Sequence, residues 1–374
     1  MNIKESIQNL SNLTRSDDWR LSLVPLVLGC TYFWAVLLKI EFTLDHFLVI
    51  ALSYVTSFGF AAMGYFINEF FDQAHDKKAG KINKLSLIAP KYQLTLLLGI
   101  LLFTLVPWIY LPKNNLSYVL IITELLLFLI YSLPFIRLKE TFFFAGIIDT
   151  MYAYIVPAVL SYHTYSFLSQ STISLEYLSL FFLLLFVVGY RNILVHQIKD
   201  VMGDIRSKTK SLPQLLGPDL SNKFLHWLVL FELLLLSLTL IWFSINVWQI
   251  SLFIAALILF IYQHKSSLKQ LLVFDGFFAL KKVRQSTDVY YQKFFPVASL
   301  VLLICVDPYW LVIAPMHWAL FVNLNLKNRY HTYVRPVLSS MINYSIYYMF
   351  LLFGVNLKER QVSAINFLKS KFKR

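Results

Sequence analysis

Gly64-Tyr65-Phe66-Ile67-Asn68-Glu69-Phe70-Phe71-Asp72-Gln73-Ala74-His75-Asp76-Lys77-Lys78-Ala79-Gly80-Lys81 closes a long apolar run, at the point where a membrane helix leaves the bilayer. Asn68, Asp72 and Asp76 recur every four residues. On an α-helix such a series stays within an arc of about 80° and covers about 12 Å of axis. One helix face therefore carries an amide and two carboxylates, with lysines following. An apolar chamber built around that face is the expectation from which the rest of the chain is read.

The 374 residues are 58% hydrophobic, 17% aromatic and 14% charged, whereas a soluble chain carries about 25% charged residues. Apolar runs near the length of a bilayer-crossing helix recur at 21–39, 46–71, 92–111, 116–136, 141–163, 177–198, 222–244 and 247–264. The first residues are polar and mixed in charge, unlike a cleavable signal. A net charge of +13 would suggest nucleic acid in a soluble chain. Here the cations lie mostly in loops after even-numbered segments, which is the pattern of cytoplasmic loops. No nucleic-acid partner is expected, and the N-terminus is expected in the cytoplasm. Cys30 and Cys305 sit in apolar surroundings without metal-ligand spacing and read as buried thiols.

The fold class that follows is an all-α polytopic membrane protein. About nine transmembrane helices are expected, with a cytoplasmic-side cap over a central apolar cavity. Residues 293–324, interrupted at Asp307-Pro308, read as a bent helix or a hairpin. Residues 1–325 are assigned to the bundle. Residues 326–374 are assigned to an extra membrane segment and a basic tail lying on lipid headgroups. A bacterial inner (plasma) membrane is the expected location.

A second motif closes the sixth apolar segment: Tyr190-Arg191-Asn192-Ile193-Leu194-Val195-His196-Gln197-Ile198-Lys199-Asp200-Val201-Met202-Gly203-Asp204. His196, Asp200 and Asp204 repeat the spacing of the first motif. A single D-x-x-x-D at a helix exit is usually a solvated turn. Two of them on one side of a membrane, each with basic residues following, are harder to dismiss. Four facing carboxylates repel unless cations separate them. Oxygen-only ligands suit Mg²⁺, which binds through a few carboxylates plus substrate phosphates. The pattern asks for a diphosphate ester whose apolar tail lies in the bundle. Asp149, alone inside the fifth segment, is a further candidate because an intramembrane carboxylate is costly. The bland alternative for it is a hydrogen-bonded carboxylate near a helix end.

These residues resemble the UbiA superfamily of intramembrane prenyltransferases over roughly 15–325. Asn68, Asp72 and Asp76 look like its N-D-x-x-D-x-x-x-D motif. Asp200 to Asp204, continuing to Ser211-Leu212-Pro213-Gln214-Leu215-Leu216-Gly217, look like its second motif. Tyr131-Ser132-Leu133-Pro134-Phe135-Ile136-Arg137-Leu138-Lys139 resembles its Y-S-x-P-x-x-x-L-K segment. Three departures stand out: Glu69 replaces an Asp, the Arg-Pro after the first motif is absent, and His196-Gln197 replace Asn-Asp or Lys-Asp.

The resemblance implies Mg²⁺-dependent transfer of a prenyl group from an isoprenoid diphosphate to a lipophilic acceptor, aromatic or a quinone precursor. Asp72, Asp76, Asp200 and Asp204 would hold metal and serve catalysis. Asn68, Lys81, Arg137, Lys139, His196, Gln197, Lys208 and Asp149 would bind substrate. The partners implied are a prenyl diphosphate, the acceptor and membrane lipids. A terpene cyclase using the same diphosphate without an acceptor is the alternative. A transporter or idle scaffold is a third reading. The compact aspartate pattern of a CDP-alcohol phosphotransferase is missing.

Overall fold

The computed structural model describes residues 13–80, 82–207, 209–246, 283–285 and 287–321. The eighth apolar segment, the 336–354 segment, Lys81 and Lys208 lie outside the described residues. The chain divides into two compact units, 1–316 and 317–374. The described part of the first unit is helical throughout. Seven of its helices are long and apolar enough to cross a membrane, so the chain is an integral membrane protein.

The helices follow from the sequence as follows. α1 (Leu23–Leu37) has 15 residues, and nearly every side chain from Val24 to Val36 is buried. It is packed by α2 (Leu44–Ala79), by the second half of α5 (Phe144–Ser169) and by α8 (Val283–Val306). Its Gly29 meets the Phe295 ring so closely that an added Cβ would lie 2.7 Å from it. Residue 29 is thus a close-approach position between α1 and α8.

α2 starts at Thr43, whose hydroxyl accepts from the His46 amide at 3.0 Å. It ends at Gly80, with φ of 73°, a left-handed value that glycine adopts at little cost. With 36 residues it is about 54 Å long, well beyond the roughly 30 Å hydrocarbon core. The helix therefore continues past the 46–71 run and carries the acidic motif out of the apolar layer without unwinding.

α3 (Pro90–Leu105) is followed by a tighter turn, Val106–Ile109. α4 (Asn115–Ser132) is opened by a capping box between Asn114 and Ser117. It stops before Pro134, whose ring disfavours helical geometry in the preceding residue. α5 (Phe144–Ser169) contains a π-helical stretch, Met151–Ile155, two residues before Pro157. α8 (Val283–Val306) repeats the device, with Tyr290–Phe294 before Pro296. A proline lacks the N–H that the preceding turn would receive, and one widened turn absorbs the mismatch.

α6 (Leu175–Ser207) carries the second motif entirely within the helix. α7 (Leu212–Asn246) is broken at Gly217-Pro218, where Gly217 has φ of 74°. At Asp307 the chain leaves helix, and the Asp307 side chain accepts from the Tyr309 amide at 3.0 Å. A short turn and α9 (Ile313–Phe321) follow. The 293–324 run is thus interrupted at Asp307-Pro308, and its first helix begins about ten residues earlier than the run of apolar residues.

On α3 and α4, Leu94, Leu98, Leu102, Phe103, Val119 and Ile122 are exposed. In a bilayer these faces contact lipid rather than water, which removes the usual penalty for exposing them.

Candidate active site

The two motif-bearing helix ends lie together. His75, between Asp72 and Asp76, has its Nε2 2.8 Å from the Thr209 hydroxyl, two residues beyond α6. α2 also packs directly on α6. Both acidic exits therefore open on the same side of the bundle.

The strongest cluster forms on the first motif. The Lys139 ammonium donates to Asn68 Oδ1 at 2.7 Å and also pairs with Asp72. The Arg137 guanidinium donates to Asp72 Oδ1 at 3.0 Å and pairs with Glu140. Both cations come from the loop after α4. Burial lowers the Lys139 ammonium below the ordinary lysine value, with Asp72 opposing that shift. Arg137 has φ of 39°, a left-handed conformation uncommon for a residue with a side chain. Its amide donates to the Leu133 carbonyl at 2.7 Å. The strained backbone turns the guanidinium back onto α2, and strain of this kind concentrates at functional sites.

The rest of the first motif is tied down locally. Asn83 donates to Asp76 Oδ2 and to the Glu69 carbonyl, both at 2.9 Å. Arg15, ahead of α1, donates to Glu69 Oε1 at 3.2 Å and lies 5.8 Å from the centre of the Tyr65 ring.

Below this layer lies a chamber of about 630 Å³. Arg15, Asn68, His196, Lys199 and Asp200 line its mouth. Asn192 and His196 precede Asp200 on the same face of α6, so the spacing of four does present one polar stripe to the cavity. Gln197, one residue round the helix from His196, is half-buried and does not line the chamber. Neither does Asp204, whose carbonyl accepts from the Thr209 amide at 2.9 Å.

Tyr65, Phe128, Tyr131 and Tyr152 form the walls beneath the mouth. The Tyr152 ring meets Phe128 and Tyr131 edge-on, with centres 5.0 and 5.3 Å apart. Asp149 also lines the chamber and accepts a hydrogen bond from the Tyr152 hydroxyl. The structure therefore brings Asn68, Asp149, His196 and Asp200 to one cavity, with Asp72, Arg137 and Lys139 clustered on Asn68.

Among the described residues, no three acidic, imidazole or thiol groups lie close enough to hold a metal ion unaided. Asp72 is already neutralised by two cations, and Asp76 is engaged by Asn83. The carboxylate and amide oxygens nevertheless have the hard-donor chemistry that Mg²⁺ takes.

Some chemistry-bearing residues were not singled out from sequence. Glu124 and Glu232 stand in apolar spans just as Asp149 does, and the same cost argument would have found them. Arg191 and Glu232 are fully buried. Arg191 donates to Glu232 at 2.8 and 3.2 Å and also pairs with Asp288. This network joins α6, α7 and α8, and its Asp288 lines the chamber, where it also pairs with Arg284.

Residues 22–274 match the model of the UbiA prenyltransferase family. The chain belongs to that family. No curated protein matches it. Among solved structures, a UbiA homologue from Archaeoglobus fulgidus bound to GPP and Mg²⁺ is similar, with a TM-score of 0.54 and 16% identity. That match covers 79% of this chain and 99% of the homologue. The same archaeal protein bound to DMAPP and Mg²⁺ gives 0.54 and 15%, again over 79% and 99%. A digeranylgeranylglyceryl phosphate synthase gives 0.54 and 19%, over 80% of this chain and 99% of that one. At these identities the likeness concerns the fold.

Proposed function

We propose that this UbiA-family chain transfers a prenyl group from an isoprenoid diphosphate to a lipophilic acceptor within the membrane, with Mg²⁺. The observation that carries the reading is the continuity of the site. Asn68 and Asp200 line the mouth of an aromatic-walled chamber, and Asn68 shares Lys139 with Asp72. The archaeal homologue that binds GPP and DMAPP with Mg²⁺ supports the same choice.

Asp72, Asp76, Asp200 and Asp204 would hold the metal, with substrate phosphates completing the coordination that these side chains do not form alone. The chemistry that Mg²⁺ held by these residues would supply is positive charge against that building on the leaving diphosphate. Lys139 and Arg137, transferred from Asp72 to phosphate oxygens, donate charge-assisted hydrogen bonds to the same group. The allylic C–O bond breaks, and its electron pair departs with the diphosphate. The Tyr65, Phe128, Tyr131 and Tyr152 rings present negative π-faces to the allylic cation and exclude water. The acceptor then forms the new bond to the prenyl carbon and releases a proton. Asp149, held by Tyr152, is the carboxylate positioned to take it.

We read the mouth and the N-terminus as cytoplasmic, on the charge asymmetry of the loops. A bacterial plasma membrane is our reading of the host membrane, tested by fractionation of the source cells. The acceptor class that we favour is an aromatic or quinone precursor. To test the function, membranes containing the protein are supplied with diphosphates of several lengths, with and without phenolic acceptors. Acceptor- and Mg²⁺-dependent diphosphate release with a prenylated product supports transfer. Cyclic hydrocarbon or alcohol formed without acceptor would replace transfer by cyclisation. Diphosphate release unaffected by Asp72→Ala and Asp200→Ala would end both readings.

A further inference from the structure

The inner end of the chamber is built unlike its mouth. From Ser132, which donates to Asn68 at 3.4 Å, eight residues back along α4 lead to Glu124, about 12 Å deeper at 1.5 Å per residue. Ile121, Glu124, Phe128 and Tyr131 form the buried face of α4. Glu124 is 1% exposed and lines the chamber. Among the described residues, neither of its carboxyl oxygens has a hydrogen-bond partner.

Several polar groups that line the chamber below its mouth are engaged with partners of their own. The Thr56 hydroxyl donates to the Thr104 carbonyl at 3.2 Å and accepts from Trp108 Nε1 at 3.0 Å. The Ser53 and Thr164 hydroxyls donate to their own helix backbones at 2.8 and 2.9 Å. The lysine and arginine side chains lining the chamber are Arg15, Lys199 and Arg284, of which Arg15 pairs with Asp18 and Glu69, and Arg284 with Asp288. A hydrocarbon tail packed against Glu124 would leave a desolvated carboxyl group unsatisfied, which is costly. The missing partner is therefore one that the ligand must bring.

We propose that the inner end of the chamber is a subsite for the hydroxyl group of a lipophilic molecule, anchored by Glu124. A hydroxyl both donates and accepts, so it satisfies the carboxyl group whether or not that group is protonated. With its hydroxyl on Glu124, the hydrocarbon body lies along Phe128 and Tyr152 toward Asp149 and the mouth. This subsite goes beyond the prenyl-transfer reading and does not depend on it.

The test measures equilibrium binding of decanol and decane to the full-length protein in detergent, using wild type, Glu124→Leu and Glu124→Gln. Wild type should prefer decanol by about tenfold, the value of one hydrogen bond to a buried acceptor. Glu124→Leu should lose that preference, and Glu124→Gln should keep part of it. The Tm of Glu124→Leu should hold or rise, because a buried unpaired group has been replaced by an apolar one. Equal binding of the two probes to wild type would overturn the proposal, as would an undiminished preference in Glu124→Leu. So would a fall in Tm with Glu124→Leu, which would mark Glu124 as a structural group. Tighter binding of decylamine than of decanol would instead make the subsite one for cations. No diphosphate enters the assay, so a failed prenyl-transfer assay leaves the outcome standing.

Discussion

Two charge clusters stand apart in this protein, and they are centred on opposite charges. At the chamber mouth two cations, Lys139 and Arg137, converge on one carboxylate, Asp72. Between α6, α7 and α8 two carboxylates, Glu232 and Asp288, converge on one arginine, Arg191, and Asp288, which lines the chamber, also pairs with Arg284. The mouth groups keep 11 to 15% of their side-chain surface exposed, whereas Arg191 and Glu232 keep none, and only Asp288 in that cluster, at 19%, reaches the chamber.

On the proposed function, that difference separates a binding site from a brace. At the mouth, spare positive charge can move from Asp72 to an incoming anion while water and substrate exchange partners with it. In the fully buried Arg191–Glu232 pair a displaced partner has nowhere to go. The cluster holds three helices in register, and the pair's geometry is bidentate, as arginine–carboxylate pairs that resist rearrangement are.

The largest effect should separate the clusters by readout. Asp72→Ala should lower Mg²⁺-dependent diphosphate release by a hundredfold or more, about 3 kcal/mol, while Tm changes little. A Tm loss of ten degrees in that variant would make the mouth a brace too. Glu232→Leu should do the reverse and destabilise the protein by about 3 kcal/mol, because Arg191 loses its bidentate partner in a buried site and keeps only Asp288 as a counter-charge. Detergent thermal unfolding reads this, and a silent Glu232→Leu would erase the distinction.

Pairing that change with Arg191→Met sharpens the comparison. The double variant should recover much of the stability, since a packed apolar pair replaces a buried ion pair at little cost. Lys139→Met should weaken pyrophosphate binding by about tenfold to a hundredfold, one charge-assisted hydrogen bond, with the loss shrinking in high salt. The smallest effect belongs to His75→Ala. Its contact with Thr209 joins the two helix exits at the surface, and removing it should cost about 1 kcal/mol of stability or less.

Much of the chamber's mouth was legible because its signal is periodic and local. Asn68, Asp72 and Asp76 share a face by helix geometry alone, as do His196 and Asp200. Lys139 and Arg137 were legible only through their place in the Y-S-x-P-x-x-x-L-K segment. Nothing in their spacing from residue 72 says that a left-handed turn at Arg137 folds that loop back onto α2. The lysine run after the first motif is more conspicuous in sequence, yet the described ion pairs on Asp72 come from the other loop. Asp149 was visible as a lone carboxylate, but its Tyr152 partner sits on a π-helical stretch that shifts side-chain directions away from the ordinary period.

The sequence by itself determined that this chain is a bundle of membrane helices with two acidic exits on one side. Length, hydropathy and four-residue spacing are properties of single helices, and each helix states them alone. Only the tertiary structure decided which intramembrane carboxylate is which. Glu124 and Glu232 read alike in sequence, each a lone acid in an apolar span. What distinguishes them is whether a cation on another helix arrives within hydrogen-bond distance, and that depends on how the helices pack.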